Sequence, residues 1–379
     1  MCHYKSSLSL NKGDFIRYLG VNFYDEINFD PLSTLSKLRT NVELLISSPH
    51  LQADQKYNII NTSICPSLIY PFQTVPPKKN SNKFIVDADI MIRGVLKEIL
   101  QLPNDLPTDM LYTDTKFKGL GLFCSAWELH LQNINACKIL LKSNNSFLHA
   151  TRKLSQEITS SLTALNITES ANILDKYGTV DTRKVRQVLR EKAFENWSQK
   201  KHKGKGVLLY QQYTPANKWI RNHKSLSCSE WREAIKMNAN VSAVRSVPGR
   251  SSGSNLCRRC DREVETLAHV LGACPHGELL RNTRHHTVRS IIATALRNKG
   301  YSVYEEVHGI SSEGSNRRID IIAFKPPSLE GYIIDPTVRF ESHEHQPEEV
   351  HEKKRNIYMN LPSVFIRTNT IWNPSSLRD

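Results

Sequence analysis

The stretch Cys257-Arg-Arg-Cys260-Asp-Arg-Glu-Val-Glu-Thr-Leu-Ala-His269-Val-Leu-Gly-Ala-Cys274 decides how the rest of the chain is interpreted. It places three thiols and one imidazole within eighteen residues at C-x2-C-x8-H-x4-C spacing. Zinc prefers a tetrahedral set of thiolate and imidazole ligands, and a C-x2-C turn lets two sulfurs bind one ion. The spacing therefore predicts a zinc knuckle whose ligands are Cys257, Cys260, His269 and Cys274. The alternative is four ligand-type residues at suitable gaps by chance.

All four positions of this site are protein ligands, so no position stays open for a water molecule. We therefore expect a structural ion that holds a loop in place rather than a catalytic one. Three arginines within the stretch suggest that the loop lies beside nucleic acid: Arg258, Arg259 and Arg262.

The composition is that of a basic globular protein with two or three domains. The 379 residues include 51 Lys and Arg against 37 Asp and Glu, for a net charge of +14. Such a charge favours a polyanionic partner, although a merely basic soluble protein is the alternative. Three of the eight cysteines belong to the knuckle and the rest are scattered, which indicates a reducing compartment rather than a disulfide framework. We find neither a signal peptide nor a membrane-spanning run.

Helical patterns precede the knuckle and extended patterns follow it. Phe15–Phe23 is rich in β-formers like a strand, apolar residues recur at helical spacing from Leu32 to Leu102, and a further helical tract covers Ser125–Arg190. Breaks are expected at Pro66, Pro71 and Pro76-Pro77, and a tight loop at Lys118–Leu122. The fold class that follows is α+β with several domains.

Two further stretches leave their interpretation open. The loop Gln199–Gly206 carries four lysines and is either a solvated linker or a phosphate contact. Trp219–Lys224 and Trp231–Lys236 interleave aromatic residues with cations, as nucleic-acid surfaces do, but ordinary amphipathic helices have the same pattern.

Downstream of the knuckle, Arg317–Phe324 and Tyr332–Val338 are β-rich runs separated by a Pro/Gly-containing turn, which predicts an antiparallel hairpin. With the turn centred near Pro327 or Ser328, Asp320 would face Asp335 at about 5 Å. Two carboxylates so placed repel unless a cation lies between them, and Mg²⁺ is a natural occupant that can promote phosphodiester hydrolysis. The alternative is a pair of surface aspartates beside a turn.

A charged helix is predicted over His345–Tyr358, with Lys353 and Lys354 on it. A lysine brought to the carboxylate pair could orient an attacking water or stabilise transition-state charge. The alternative for this run of charge is a solvated helix face.

The order of these elements resembles the C-terminal half of the R-two clade of site-specific non-LTR retrotransposon polyproteins. In that family a reverse transcriptase is followed by a linker, a zinc knuckle and a restriction-like endonuclease of the PD-(D/E)xK type. The matching segments before the knuckle are short: Arg17–Val21, Ile64–Tyr70, Asp87 with Ile92–Leu96, Leu102–Asp105, Gly119–Gly121 and Met237–Arg250. After it, a helix starting near Arg284-His285-His286 precedes the two aspartates.

The resemblance implies four regions: the end of a reverse transcriptase with its thumb at 1–124, a helical linker at 125–245, the knuckle at 246–283 and the nuclease at 284–379. It also implies that Asp320 and Asp335 hold Mg²⁺, that Lys354 or Lys353 is the catalytic lysine, and that Arg318 and His285 support them. The chain departs from the family at Ile319, where a proline is usual, and Thr337 stands where a simple D-x-K motif would have lysine.

The function so implied is magnesium-dependent nicking of target DNA in the nucleus, with the large-subunit ribosomal RNA gene as the usual target and element RNA as a second partner. The nick would prime reverse transcription in the intact parent. The Tyr-x-Asp-Asp loop of a polymerase is missing from these residues, and the nuclease is expected to be cut short at Asp379. The rival hypothesis is a nucleic-acid-binding module that retains zinc without catalysis.

Overall fold

We analysed a computed structural model of the chain, which describes residues 15–18, 21–24, 31–74, 81–142, 148–168, 171–222, 226–247, 253–311, 313–327, 331–340, 343, 345–359, 364–366 and 370–372. The chain divides into two compact units, Met1–Val241 and Ser242–Asp379. Several predicted features lie outside the described residues in whole or in part: the break at Pro76-Pro77, the end of Trp219–Lys224, the end of Met237–Arg250, and Ser328.

The first unit begins with two short strands, β1 (Phe15–Tyr18) and β2 (Val21–Tyr24), which pair antiparallel with Tyr18 opposite Val21. The prediction of a single strand over Phe15–Phe23 was therefore wrong. Its β-forming residues are divided between the two strands of a hairpin, because the chain reverses between Tyr18 and Val21.

Helices make up most of the rest of this unit. They are α1 (Pro31–Ser47), α2 (Ala53–Ile59), α3 (Ile69–Thr74), α4 (Ser81–Ile99), α5 (Thr108–Tyr112), α6 (Ser125–Lys142), α7 (Leu148–Ala164), α8 (Thr182–Ser198) and α9 (Cys228–Asn238). Between α2 and α3 the chain stays helical through a π turn at Ile60–Ile64 and a 3₁₀ turn at Cys65–Leu68. Pro66, which lacks an amide donor, lies in that irregular stretch.

One continuous hydrophobic core in this unit runs from Leu38 on α1 to Val241 after α9, and so includes residues on both sides of the predicted boundary at 124/125. Trp231, which the sequence left as a possible nucleic-acid contact, is fully buried in it. Its indole Nε1 donates to the carbonyl of Ile220 at 3.2 Å. The amphipathic-helix alternative therefore holds for Trp231.

The lysine-rich loop after α8 is anchored to the same unit. The indole Nε1 of Trp197 donates to the carbonyl of Lys203 at 2.8 Å, and the Lys203 ammonium lies 3.0 Å from Asp105. A Cβ on Gly204 would stand 2.4 Å from the carbonyl oxygens of Trp197 and Ser198, so the close return of the chain over α8 requires glycine there.

The second unit contains the Cys/His stretch, a long helix α10 (Glu278–Asn298), strands β3 (Ser302–Ile310), β4 (Asn316–Phe324) and β5 (Gly331–Ile334), helix α11 (Gln346–Met359), and strands β6 (Val364–Ile366) and β7 (Thr370–Trp372). The five strands form one antiparallel sheet in the order β5-β4-β3-β6-β7. One apolar cluster on this sheet includes residues of α10, and a separate cluster includes Tyr358 of α11.

Some predictions for this unit are confirmed and others need correction. The hairpin is confirmed as β4 and β5, although β5 ends at Ile334 and does not extend to Val338 as predicted. Helix α11 matches the charged helix expected at His345–Tyr358. However, α10 begins at Glu278, directly after a 3₁₀ turn at Pro275–Gly277, and not near Arg284. Strand β3 was not predicted.

The α+β class is confirmed as a mixed helix and sheet architecture. Among the described residues, no helix has both the length and the apolar character that crossing a membrane requires.

Candidate functional site

The first two candidate metal ligands lie in a tight turn. Leu256 and Val264 form an antiparallel bridge, and the amide of Cys257 donates to the carbonyl of Glu263 at 2.8 Å. The chain reverses through Asp261, whose φ of 52° is left-handed and whose amide donates to the carbonyl of Cys257 at 2.9 Å. Aspartate tolerates this conformation better than most residues. The turn therefore brings Cys260 back beside Cys257.

The other two ligands come from a single π turn at His269–Ala273, with Cys274 directly after it. The amide of His269 donates to Thr266 Oγ1 at 3.0 Å, and the amide of Cys274 donates to the carbonyl of His269 at 2.8 Å. These bonds place the imidazole and the third thiol on the same side of the turn that carries Cys257 and Cys260.

The four ligand atoms all lie within 4.8 Å of one another. Cys257 Sγ is 3.9 Å from Cys274 Sγ, and Cys260 Sγ is 3.4 Å from His269 Nε2. A tetrahedral zinc ion with Zn–S bonds of about 2.3 Å and Zn–N bonds of about 2.0 Å needs ligand separations of about 3.5–3.8 Å. The Cys3His group could therefore hold a metal ion, and its donor set is compatible with zinc.

Backbone amides favour the ionised form of two of these thiols. Hydrogen bonds from Cys260 and Arg259 lower the pKa of Cys257, and hydrogen bonds from Arg262 and Glu263 lower the pKa of Cys260. Burial instead raises the pKa of Cys274, and the nearby Cys257 thiol adds to that effect. The third thiol would thus ionise most readily with a cation present.

Arg258 helps to hold the structure of this loop. Its guanidinium donates to Glu265 at 2.6 Å and to the carbonyl of Ala243 at 2.6 Å. Hydrogen bonds from Arg258, working against burial, lower the pKa of the Glu265 carboxyl to about 2. All three arginines predicted to face nucleic acid are exposed, and Arg258 is at the same time paired with Glu265.

Helix α10 connects this cluster to the sheet. Arg281 donates to the carbonyl of Cys274 at 2.6 Å, and Arg284 donates to the carbonyl of Leu271 at 3.3 Å. The next residue, His285, has its Nε2 at 3.2 Å from Asp320 on β4. One face of α10 therefore contacts both candidate sites.

The two predicted carboxylates are brought together by the hairpin. Strand β4 pairs with β5 through Ile321 opposite Ile334, so the same register, continued by one residue, sets Asp320 opposite Asp335. The register centres the turn between Pro327 and Ser328, as expected from the sequence. Asp320 and Asp335 are both only partly exposed, with side-chain exposures of 14% and 18%.

Helix α11 adds two polar side chains to Asp335. Lys354 donates to the carboxylate and, at 3.3 Å, to the backbone carbonyl of Asp335. Tyr358, one turn later, donates its hydroxyl to Asp335 Oδ2 at 2.5 Å. Lys353 is exposed on the helix surface. Of the two predicted lysines, Lys354 is the one that contacts the pair.

Their surroundings shift the pKa values of the two aspartates in opposite directions. Burial and the close carboxylate of Asp335 raise the pKa of Asp320, and His285 opposes them. Burial would also raise the pKa of Asp335, but hydrogen bonds from Lys354 and Tyr358 outweigh it and hold the pKa below its usual value. Asp335 is therefore the ionised member of the pair, and Asp320 retains its proton more readily.

Sequence reasoning missed a third carboxylate beside the pair. Glu306 lies in β3 between Glu305, opposite Ile321, and Val307, opposite Ile319, so it falls level with Asp320. Its φ of 55° is left-handed, and Arg289 and Arg318 both form ion pairs with it. These bonds lower its pKa. The only signal available was a glutamate inside the β-rich run Ser302–Ile310.

Comparison with known proteins shows that the chain is similar to retrotransposon polyproteins. No protein-family model matches it. The "Retrovirus-related Pol polyprotein from type-1 retrotransposable element R2" of Nasonia vitripennis is 26% identical over 323 residues, covering 83% of this chain and 28% of the relative. A protein of the same description from Popillia japonica is 23% identical over 354 residues, covering 89% of this chain and 66% of the relative.

The "Retrovirus-related Pol polyprotein from type-2 retrotransposable element R2DM" of Drosophila melanogaster is 22% identical over 355 residues, covering 92% of this chain and 31% of the relative. The chain thus spans between 28% and 66% of the length of these relatives.

Proposed function

Because the chain corresponds to part of an R2-type retrotransposon Pol polyprotein, we propose that its second unit is a metal-dependent endonuclease that nicks DNA. The observation that carries this proposal is the pair Asp320 and Asp335, which oppose each other across a hairpin while Lys354 donates a hydrogen bond to Asp335. The sheet, with a helix before it and a lysine-bearing helix between β5 and β6, also fits the PD-(D/E)xK type of nuclease.

The carboxylate pair suits a hard divalent cation such as Mg²⁺. Burial and the adjacent carboxylate of Asp335 raise the pKa of Asp320, and a cation between the two carboxylates would relieve their repulsion. Asp320 and Asp335 would hold the ion, which supplies activation of water and neutralisation of charge at the scissile phosphate.

The protein side chains have separate tasks in this scheme. Tyr358 keeps its proton, since burial and the bond to Asp335 raise its pKa, and so fixes one oxygen of Asp335. Lys354 holds the other oxygen and presents an ammonium that can orient the attacking water or stabilise negative charge as it develops. His285 orients Asp320 from α10. Lys353 is exposed and makes no comparable contact among the residues that the structure describes.

The Cys3His group would hold Zn²⁺ as a structural ion, since Cys257, Cys260, His269 and Cys274 leave no position for water. Zinc there stabilises the loop that carries the exposed Arg259 and Arg262. The partners we propose are target DNA and element RNA, in the nucleus, with the large-subunit ribosomal RNA gene as target and the nick as primer for reverse transcription by the whole polyprotein.

The decisive test compares Asp335→Asn with Glu348→Gln in a nicking assay on supercoiled DNA with Mg²⁺. Both variants remove one negative charge, but Glu348 is exposed on the first turn of α11. We expect Asp335→Asn to reduce the rate by about a hundredfold or more, and Glu348→Gln to nick like wild type. Equal nicking by all three proteins would contradict the proposal. DNA binding without nicking by wild type would support the zinc-containing binding module instead.

A further inference from the structure

Arg317 on β4 differs from the other arginines around the carboxylate pair. Arg289, Arg297 and Arg318 each form an ion pair with Glu305 or Glu306. Arg317 takes part in no ion pair or hydrogen bond among the residues that the structure describes, and its Nε is shielded from solvent without an acceptor. Its cross-strand neighbour is Gly309, which has no side chain to offer one.

A shielded Nε without an acceptor is costly for the folded protein, whereas the half-buried Arg317 side chain as a whole still reaches solvent. Shielded polar groups are nearly always hydrogen-bonded. An exception in a native structure calls for a ligand or a functional role. Arg317 therefore has donors available for a partner that is not part of this chain.

The position of Arg317 identifies the kind of partner. It lies three residues before Asp320 on the same strand, about 10 Å along it. Ile319, which follows by two residues and so shares its face, packs against Tyr358 in the apolar cluster that α11 joins. Arg317 is close enough to Tyr358 for its charge to lower the pKa of the tyrosine, against the larger effects of burial and Asp335.

Two other cationic or donor groups near the pair are already engaged. Lys354 is bonded to Asp335, and His285 is bonded to Asp320. Arg317, which lies near Tyr358, is thus a cation whose donors are not used within the described structure. Arginine offers a planar fork of donors that matches the oxygens of a phosphate group and is always charged.

We propose that Arg317 binds a phosphodiester of the DNA strand that is cut, next to the carboxylate pair, and so positions the strand for hydrolysis. This inference rests on the proposed endonuclease and adds the residue that holds its substrate. The bond would be charge-assisted and would be donated by the terminal guanidinium nitrogens of Arg317, because Nε is shielded from solvent.

The test uses the full chain and a labelled DNA duplex, with binding measured over a range of salt concentrations without Mg²⁺. Each phosphate contact to duplex DNA contributes about −0.9 to the slope of log K against log salt. We expect Arg317→Gln to make the slope shallower by about that amount. Arg297→Gln is the matched control, because it removes the same charge from a residue whose guanidinium is paired with Glu305, and its slope should stay at the wild-type value.

Nicking with Mg²⁺ gives the second measurement, in which Arg317→Gln should lose about tenfold to a hundredfold in rate. Arg317→Lys keeps the charge and separates contact from folding: it should keep the wild-type salt slope while it nicks more slowly. The inference is overturned if Arg317→Gln matches Arg297→Gln in both measurements, or if the lysine variant loses the slope as fully as the glutamine variant.

The binding measurement does not depend on hydrolysis, so the two proposals can fail separately. If wild type does not nick but the slope still responds to Arg317, the endonuclease proposal fails and the phosphate contact stands. If wild type nicks and Arg317→Gln behaves like the control, the phosphate contact fails and the endonuclease stands.

Discussion

At the scale of single residues, Asp320 and Asp335 show how environment gives two identical side chains different protonation. Asp335 accepts bonds from Lys354 and Tyr358, whereas Asp320 has His285 and the neighbouring carboxylate. A group whose pKa is raised by folding stabilises the fold below its unfolded pKa and loses that contribution as pH rises through the folded pKa. Asp320 is such a group.

We therefore expect stability without Mg²⁺ to fall as pH rises through the raised pKa of Asp320, and Mg²⁺ to restore it increasingly over the same range. Asp320→Asn removes the repulsion, so the metal-free variant should melt at a higher temperature than wild type at neutral pH and should no longer respond to Mg²⁺. Thermal melting of both proteins at several pH values checks this. A wild-type melting temperature that responds to Mg²⁺ equally at low and neutral pH would contradict it.

Some contacts around these residues could be predicted from the sequence, and others could not. Asp320 and Asp335 were paired correctly because an antiparallel register follows from the centre of the turn. Lys353 and Lys354 could not be separated in that way, since neighbouring residues on a helix point about 100° apart and the rotation of α11 is set by packing of Tyr358. The position of Glu306 level with Asp320 depends on the pairing between β3 and β4, which the local sequence pattern does not specify.

At the scale of elements, Cys257, Cys260, His269 and Cys274 could be found from spacing alone because all four lie in one local turn and its following π turn. The start of α10 could not be predicted from the sequence, because the Pro275–Gly277 turn leads directly into the helix. The sequence also left open whether the tryptophans are buried, because Trp231 becomes a core residue only when the helices pack.

The return of the chain over α8 supplies a prediction about packing. Gly204→Ala would set a Cβ 2.4 Å from two backbone carbonyl oxygens, so we expect a loss of about 1–3 kcal/mol. Gly94→Ala on α4 meets nothing within 4 Å and should be neutral or gain up to about 1 kcal/mol. Denaturant unfolding followed by tryptophan fluorescence measures both. Similar midpoints for the two variants would argue against the close approach at Gly204.

At the scale of the whole molecule, the two compact units divide the tryptophans unequally: Trp127, Trp197, Trp219 and Trp231 belong to the first and Trp372 to the second. The Cys3His group belongs to the second. Fluorescence therefore reports mainly on the helical unit, while metal loss should act on the other.

We expect Cys257→Ser, or removal of zinc by a chelator, to increase amide hydrogen exchange over 253–276 and at the start of α10, with little change in α8 and α9. Cys228→Ser is the control, because this partly exposed thiol lies in the helical unit outside the cluster. Mass spectrometry of exchanged peptides makes the comparison. Equal protection in both variants would count against a bound structural ion.

Helix α10 has a consequence for which sequence changes the second unit can accept. Arg281, Arg284 and His285 are spaced three and four residues apart, so they share one side of the helix and reach the Cys/His loop and Asp320 together. Inserting one residue between Arg281 and His285 would turn the histidine by about 100° relative to the loop. In a diverging family of copies, α10 should therefore accumulate substitutions on its outer side far more readily than single-codon insertions or deletions. An insertion or deletion would rotate His285 away from Asp320 while Arg281 stays at the Cys/His loop.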